Sequence, residues 1–104
     1  MPAGRIPRIA RLMALAIRCE QLIRDGVIAN QSELAEFGRI TTARMTQIMS
    51  LLNLAPDIQE QILFLPRTEQ GRDTIKETDV RRIVQILDWR KQRRMWGTLK
   101  RNAN

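Results

Sequence analysis

The chain has 104 residues, with a single cysteine, Cys19, and neither histidine nor tyrosine. One cysteine excludes an intrachain disulfide framework, and the lack of histidine excludes a His-based zinc site and a Ser-His-Asp triad. The longest apolar run near the N terminus, residues 12–17, is six residues long, too short for a membrane span or a usual signal peptide. We therefore expect a protein of the reducing cytoplasm, with no catalytic site, bound metal or cofactor.

The charge is strongly positive, with 18 lysines and arginines against 11 acidic residues, a net charge of +7. A basic protein of this size usually binds polyanions, which means nucleic acid or an anionic membrane surface. Residues 1–30 carry a net charge of +3, residues 31–66 a net charge of −2 and residues 67–104 a net charge of +6. The length fits one domain over residues 1–104, with its basic groups concentrated towards both ends.

The hydrophobic pattern is helical, because apolar residues recur at three- and four-residue spacing and no sustained alternation indicates a strand. The spacing predicts an all-α fold of five or six helices around a central helix-turn-helix. The predicted helices cover about residues 6–25, 31–37, 41–52 and 56–64, a fifth helix that begins near residue 78, and a basic C-terminal helical stretch over about 88–104. In the first of them, Cys19 lies beside the apolar stripe and is best explained as a small buried hydrophobe.

Several residues predict where these helices begin or end. Gly26 is suited to end the first helix, and Asn30 with Glu33 resembles a capping box before the second. Thr41 could cap the third helix and Thr78 the fifth. In the fifth helix we expect the apolar face towards the core to be formed by Val80, Ile83, Val84 and Leu87.

The stretch from Gln31 to Ile48 has the pattern of a helix-turn-helix. This motif needs a small residue where its helices cross, apolar anchors on both helices and a tight turn between them. Ala35 fits the crossing and Gly38 the turn. The predicted anchors are Leu34, Ile40, Met45 and Ile48.

The helix after that turn would present short polar groups, which can read base edges in the major groove by hydrogen bonds. These groups are Thr41, Thr42, Arg44, Thr46, Gln47 and Ser50. Ala43 could meet a thymine methyl, and the amide of Gln47 suits adenine N6 and N7. Arg39 and Arg44 lie in a stretch, residues 39–54, that contains no acid, which suggests a surface that faces phosphates.

At these residues the chain resembles the helix-turn-helix of ParB-type plasmid partition and repressor proteins. The resemblance continues through MSLLNLAPDIQEQIL, residues 49–63, and covers about residues 31–63. It implies base contacts by Thr42, Ala43, Thr46 and Gln47, and phosphate contacts by Gln31, Ser32 and Thr41. In many such motifs the turn glycine lies four residues after the small alanine, a position that Arg39 holds here, one residue after Gly38.

The two ends of the chain carry arginine-rich segments whose role the sequence leaves open. Arg8, Arg11 and Arg18 lie towards one side of the first helix, as either a solvated face or a row of phosphate contacts. The last helix carries a further set of predicted phosphate contacts, namely Arg90, Lys91, Arg93 and Arg94. Between these basic residues lie three apolar side chains at seven- and three-residue spacing, Trp89, Trp96 and Leu99. They could form the contact surface of a homodimer. The alternative dimer surface is the apolar stripe of the first helix.

The sequence therefore predicts a nucleoid-associated protein that binds double-stranded DNA, in transcriptional regulation or in plasmid or mobile-element maintenance. Base reading would fall to Thr42, Ala43, Arg44, Thr46 and Gln47, and phosphate contacts would include Arg39. Two other classes remain: a helical adaptor that binds a protein partner through its Trp, Met and Leu surface, and a binder of structured RNA. A purely structural helical hairpin also fits the central pattern.

Overall fold

The computed structural model describes residues 4–103, and every regular element within that range is helical. The elements are α1 (Arg8–Arg24), α2 (Gln31–Gly38), α3 (Thr42–Met49), a 3-10 turn (Ser50–Asn53), α4 (Pro56–Leu63), α5 (Glu77–Val84) and α6 (Trp89–Ala103). An isolated antiparallel bridge joins Arg5 to Thr68, on the connection between α4 and α5. The predicted all-α class is confirmed, with six α-helices among the described residues.

The helix ends near the motif follow the local sequence signals. The side chain of Asn30 accepts a hydrogen bond from the backbone N–H of Glu33 at 3.0 Å. The carboxylate of Glu33 in turn accepts from the backbone N–H of Ala29, at 3.2 Å, rather than from Asn30 itself. Thr41 caps α3 by accepting from the backbone N–H of Arg44, at 3.0 Å. The bonds to Glu33 N–H and Arg44 N–H satisfy amides that the first helical turn leaves without partners.

The predicted start and inner face of the fifth helix are partly wrong. Thr78 is the second residue of α5, and Lys76 is its N-cap, with the backbone N–H of Lys76 bonded to Asp79 Oδ2 at 3.0 Å. Leu87 is 87% exposed instead of buried. The reason is that α5 ends at Val84, so Leu87 lies in the turn before α6 and leaves the helical period.

The interior consists of two clusters of buried side chains. The larger cluster joins α1, the 3-10 turn, α4, α5 and α6, and Ile48 adds α3 to it. Its fully buried members include Met13, Leu54, Ile58, Ile62 and Val80. The smaller cluster lies where α1 meets α2 and α3 and contains Cys19, Leu34, Ala35, Met45 and Met49. Cys19 is 4% exposed, which confirms its predicted place in the interior, and burial raises the pKa of its thiol.

Trp96 belongs to the larger cluster, which corrects the predicted dimer surface on the last helix. Its side chain is 2% exposed, and its indole N–H donates to Gln61 Oε1 on α4 at 2.7 Å. Trp89, by contrast, is 46% exposed. In the apolar stripe of α1, Ile9 and Met13 are buried in the same cluster, so these two side chains are not available to the alternative dimer surface. Trp96 thus packs α6 on its own chain, whereas Trp89 stays on the surface.

None of the helices within residues 4–103 has both the length and the apolar character needed to cross a bilayer.

Candidate nucleic-acid interface

Helices α2 and α3 meet at a buried crossing, as the sequence predicts. Ala35 is 3% exposed, and Leu34 and Met45 beside it are 6% and 4% exposed. Ile48, predicted as an anchor, is also buried, at 5%. Ile40 is the exception, because it lies in the turn and remains 36% exposed. A small residue at position 35 lets the two helix backbones approach, and the Met45 and Met49 side chains fill the space beneath them.

The turn between the two helices is built on Arg39, which corrects the role predicted for Gly38. Gly38 is the last residue of α2, whereas Arg39 adopts the left-handed conformation with φ 54° and ψ 42°. The backbone N–H of Arg39 bonds to Glu36 O at 3.2 Å, and that of Ile40 bonds to Ala35 O at 3.1 Å. This pair of bonds is the pattern of a Schellman helix end, in which the left-handed position usually holds glycine. The turn therefore forms one residue later than Gly38 suggests, at the motif's usual glycine position.

The face of α3 opposite the buried methionines consists of short, exposed side chains. The exposed members are Thr42, Ala43, Thr46 and Gln47. The hydroxyl of Thr46 donates to Thr42 O at 3.0 Å, and the hydroxyl of Ser50 donates to Gln47 O at 2.6 Å. These bonds hold the hydroxyl groups close to the helix. The amide of Gln47 extends furthest, and its Oε1 accepts from Arg44 at 3.1 Å.

Arg44 differs from the other predicted base-reading residues because its guanidinium is held within the protein. Its two terminal nitrogens donate to the two carboxylate oxygens of Glu77, at 2.5 and 2.9 Å. Arg81 donates to the same carboxylate at 2.8 Å. The hydrogen bond from Arg44, together with the smaller effect of Arg81, lowers the pKa of Glu77 to about 2, although burial acts in the opposite direction. The pair also raises the pKa of Arg44 and ties α3 to the first turn of α5.

Glu77 is a residue of the candidate site that the sequence does not predict. It lies 33 positions from Arg44 along the chain, just before the predicted start of the fifth helix near residue 78. No local spacing links the two residues, since the contact exists only once the fold brings the first turn of α5 to the Arg44 side chain.

The phosphate contacts predicted near the motif lie on the protein surface. Gln31 and Ser32 are exposed in the first turn of α2, and Arg39 is exposed in the turn. Thr41 is exposed as well, but its hydroxyl oxygen already caps α3. Its hydroxyl proton can still be donated to a phosphate oxygen.

The predicted phosphate contacts of the last helix lie on a different part of the fold. Helix α6 packs mainly on α5, whereas α3 packs mainly against α1 and α2. Arg90, Lys91 and Arg94 are exposed, with no ion pair among the described residues. Arg93 differs, because its Nε donates to Asp57 Oδ2 at 2.9 Å and thereby lowers the pKa of that carboxyl.

Comparison of the chain with protein-family models, with curated proteins and with solved structures found no match. The likeness to ParB-type motifs therefore rests on the sequence of residues 31–63 alone.

Proposed function

We propose that this protein binds double-stranded DNA and places α3 in the major groove. The observation that carries the proposal is the two-sided character of α3. One side holds Met45 and Ile48 in the interior, and the other presents Thr42, Thr46 and Gln47 to the surface. Short hydroxyl and amide groups on a helix backed by a second helix are the groups that read base edges. The net charge of +7 supports the same partner, because phosphate contacts dominate affinity for DNA.

Within this function the residues divide into three roles. Thr42, Ala43, Thr46 and Gln47 read bases, and Gln47 has the longest reach of the four. Arg44 acts as a positioning residue instead, because its guanidinium is bound to Glu77 and its Nη1 also holds the Gln47 side-chain oxygen. A Gln47 amide fixed at its oxygen leaves its two N–H donors free to meet an acceptor on a base.

The third role is that of the phosphate contacts, which fix the protein on the duplex without reading sequence. Beside the motif they are Gln31, Ser32, Arg39 and Thr41. On α6 they are Arg90, Lys91 and Arg94, with Arg93 partly neutralised by Asp57. The resemblance to ParB-type motifs supports use of this DNA binding in transcriptional regulation or in maintenance of a plasmid or mobile element.

A protein-interaction adaptor is the second candidate, because large apolar side chains remain on the surface. Phe37 is 73% exposed, Leu87 is 87% exposed and Trp89 is 46% exposed. They are spread over the end of α2, the turn before α6 and the start of α6. Since such scattered apolar residues are common on protein surfaces, the DNA-binding proposal has the stronger support.

The test begins with selection of bound duplexes from a random DNA pool, followed by comparison of the preferred duplex with a scrambled one. Gln47→Ala should weaken binding to the preferred duplex by about 1–3 kcal/mol and leave binding to the scrambled duplex unchanged. Gln85→Ala, the same substitution at an exposed position on the far end of α5, is the matched control and should change neither. Thermal melting checks that both variants fold.

Three outcomes would contradict the proposal. Equal losses on both duplexes would remove the base-reading role of Gln47. Tighter binding to structured RNA than to duplex DNA would favour the RNA-binding class. Failure of the parent protein to bind any nucleic acid at low salt would favour the adaptor.

A further inference from the structure

A groove of about 460 Å³ lies where the start of α1 faces the chain segment that leads into α5. Its lining contains five basic side chains, which come from distant parts of the sequence: Arg5, Arg8, Arg11, Arg72 and Lys76. Two buried apolar residues, Ile9 and Ile75, also line it. The groove thus combines Arg8 and Arg11 of α1 with basic residues of the segment before α5, and we call it the basic groove.

The two acidic residues of the basic groove already have internal partners. Asp73 accepts hydrogen bonds from the Arg5 guanidinium at 2.8 Å, from the backbone N–H of Arg8 at 2.9 Å and from the Thr68 hydroxyl at 2.6 Å. Glu77 is bound by Arg44 and Arg81. The pKa values of both carboxyl groups are lowered by these partners, so both stay ionised and paired at neutral pH.

Four cations of the groove remain available once these pairs are set aside. The side chains of Arg8, Arg11, Arg72 and Lys76 are exposed and form no ion pair within residues 4–103. Like charges gathered in one groove repel each other, and the arrangement costs least when an anion lies among them. The groove therefore has the electrostatics of an anion-binding surface.

A chain of contacts joins the basic groove to the exposed face of α3. The Glu77 carboxylate, on the wall of the groove, binds Arg44, and Arg44 donates to Gln47 Oε1 at 3.1 Å. The Glu77–Arg44 ion pair thus connects the groove to Gln47, the predicted base-reading side chain. Helix α1, which carries Arg8 and Arg11, also packs directly against α3.

We propose that the basic groove binds backbone phosphates of the duplex that flanks the segment contacted by α3. This inference rests on the proposed function. An extended polyanion fits the groove better than a small anion does, because the four cations are exposed and come from two segments of the chain. A small-molecule site would instead need polar groups that converge in a largely enclosed pocket. Arg8, Arg11, Arg72 and Lys76 then add phosphate contacts that the motif alone does not supply.

The experiment removes two groove charges with Arg11→Gln/Arg72→Gln in the full chain. Arg67→Gln/Arg101→Gln removes the same charge outside the groove and is the matched control. Binding to the preferred duplex is measured between about 50 and 200 mM salt, a range over which phosphate contacts change affinity strongly. The slope of log K against log salt should fall by about 0.9 for each phosphate that the variant no longer neutralises, hence by up to about 1.8 for the groove pair. The control pair should keep the parent slope.

A charge-retaining pair, Arg11→Lys/Arg72→Lys, separates loss of charge from loss of packing. It should keep most of the parent slope, because a lysine ammonium also neutralises a phosphate. Melting curves for all three variants should match that of the parent, since the substituted side chains are exposed. If the groove pair fails to fold, the single variants Arg11→Gln and Arg72→Gln give the test: each should lower the slope by about 0.9, and two folded single variants with the parent slope would overturn the inference.

The outcomes distinguish failure of this inference from failure of the proposed function. If the groove pair keeps the parent slope while Gln47→Ala still loses sequence preference, the groove inference is overturned and DNA binding stands. If the parent binds no duplex, both are overturned. If pyrophosphate raises the melting temperature of the parent but not of the groove pair, and the DNA slope is unchanged, the groove is a small-anion site and the inference is wrong.

Discussion

The side-chain oxygen of Gln92 accepts a hydrogen bond from the backbone N–H of Ala55 at 2.8 Å, inside the protein. Gln92 is fully buried, and its amide nitrogen donates to the carbonyl oxygens of Asn53 at 3.2 Å and Ile86 at 2.7 Å. One side chain of α6 thereby satisfies backbone groups at the start of α4, at the end of the 3-10 turn and in the turn before α6. Buried backbone groups need such partners, so the glutamine links three parts of the fold.

Replacement of Gln92 by leucine should therefore destabilise the protein although it makes the interior more apolar. The cost is about 1–3 kcal/mol for each buried backbone group left unpaired. Urea unfolding followed by circular dichroism measures it. Gln85→Leu, at an exposed position of the α5 end, is the control and should stay within about 0.5 kcal/mol of the parent. A parent-like midpoint for the Gln92 variant would show that water replaces the missing bonds.

The ion pair between Glu77 and Arg44 predicts a loss of stability in acid. The folded-state pKa of Glu77, about 2, lies below its ordinary value of 4.5. The carboxylate therefore contributes stability that is fully present above about pH 4.5 and is lost as the pH falls towards 2. Solvent screens this cluster, because Arg81 is partly exposed, and the screening reduces the effect. We expect the Glu77 carboxylate to contribute about 1–2 kcal/mol to the free energy of unfolding.

The measurement is the free energy of unfolding at several pH values for the parent and for Glu77→Gln. The difference between the two proteins should be largest near neutral pH and should shrink between pH 4.5 and 2. Glu69→Gln, at an exposed position in the loop before α5, controls for the general loss of an acidic group. A constant difference between parent and Glu77→Gln across this pH range would mean that the pair contributes no titration-linked stability.

Arg39 and Gly38 give a paired prediction about the turn of the motif. Arg39→Gly should stabilise the fold by about 0.5–1 kcal/mol, because glycine adopts the left-handed conformation without the steric cost of a side chain. Gly38→Ala should also stabilise it, by a similar amount of about 0.5–1 kcal/mol, because Gly38 is helical and alanine favours helices. A Cβ at position 38 would lie 3.8 Å from Ile40 Cγ1, an ordinary contact.

Thermal melting of the two variants checks this pair. If Gly38→Ala lowers the melting temperature while Arg39→Gly leaves it unchanged, the turn forms at Gly38 after all. Binding to duplex DNA provides a second measurement. Arg39→Gly should weaken it and lower the salt slope by about 0.9 if Arg39 contacts a phosphate, so that stability and affinity change in opposite directions.

Ala35→Glu should disrupt the crossing of α2 and α3. A carboxylate at a site that is 3% exposed has neither room nor a partner, and we expect a loss of about 3 kcal/mol or more. Ala14→Glu makes the same change on the exposed face of α1 and should have little effect. Chemical unfolding compares them. An Ala35→Glu variant that melts like the parent and still binds DNA would exclude the helix-turn-helix assignment.

The exposed cations of α6 can be tested without removing the helix, which Gln92 and Trp96 make part of the interior. Arg90→Gln/Lys91→Gln/Arg94→Gln should lower the salt slope of DNA binding by about 0.9 for each phosphate that these side chains neutralise in the parent. Arg93→Gln is the comparison, because its guanidinium already pairs with Asp57 and should contribute less. A triple variant with the parent slope would identify this row as a solvated face.

The sequence predicts best those features that depend on near neighbours. Asn30 and Thr41 mark helix starts through hydrogen bonds within one turn, and the structure places a helix after each of them. The buried face of α3 follows equally from its three- and four-residue spacing. The predictions that depend only on these short distances hold almost throughout the motif.

Features that depend on how helices pack could not be predicted in this way. Trp96 and Leu87 are both large apolar residues, but one is buried and the other exposed because of where the turn before α6 lies. The pairing of Arg44 with Glu77 and the gathering of Arg11 with Arg72 join residues far apart in the chain. The candidate site is thus predictable as a helix and its outward residues, but the charges around it are set by tertiary structure.

The smaller interior cluster holds α2 and the Met45 and Met49 side chains of α3 against α1, while Ile48 joins α3 to the larger cluster. Cys19 is the contribution of α1 to this cluster, and its thiol is both covered and kept protonated by burial. We therefore expect a thiol reagent to react with it mainly after the packing of α1 against α2 and α3 opens locally. The rate of Cys19 alkylation therefore measures this local opening. A bound ligand that holds α2 and α3 in place would lower the alkylation rate.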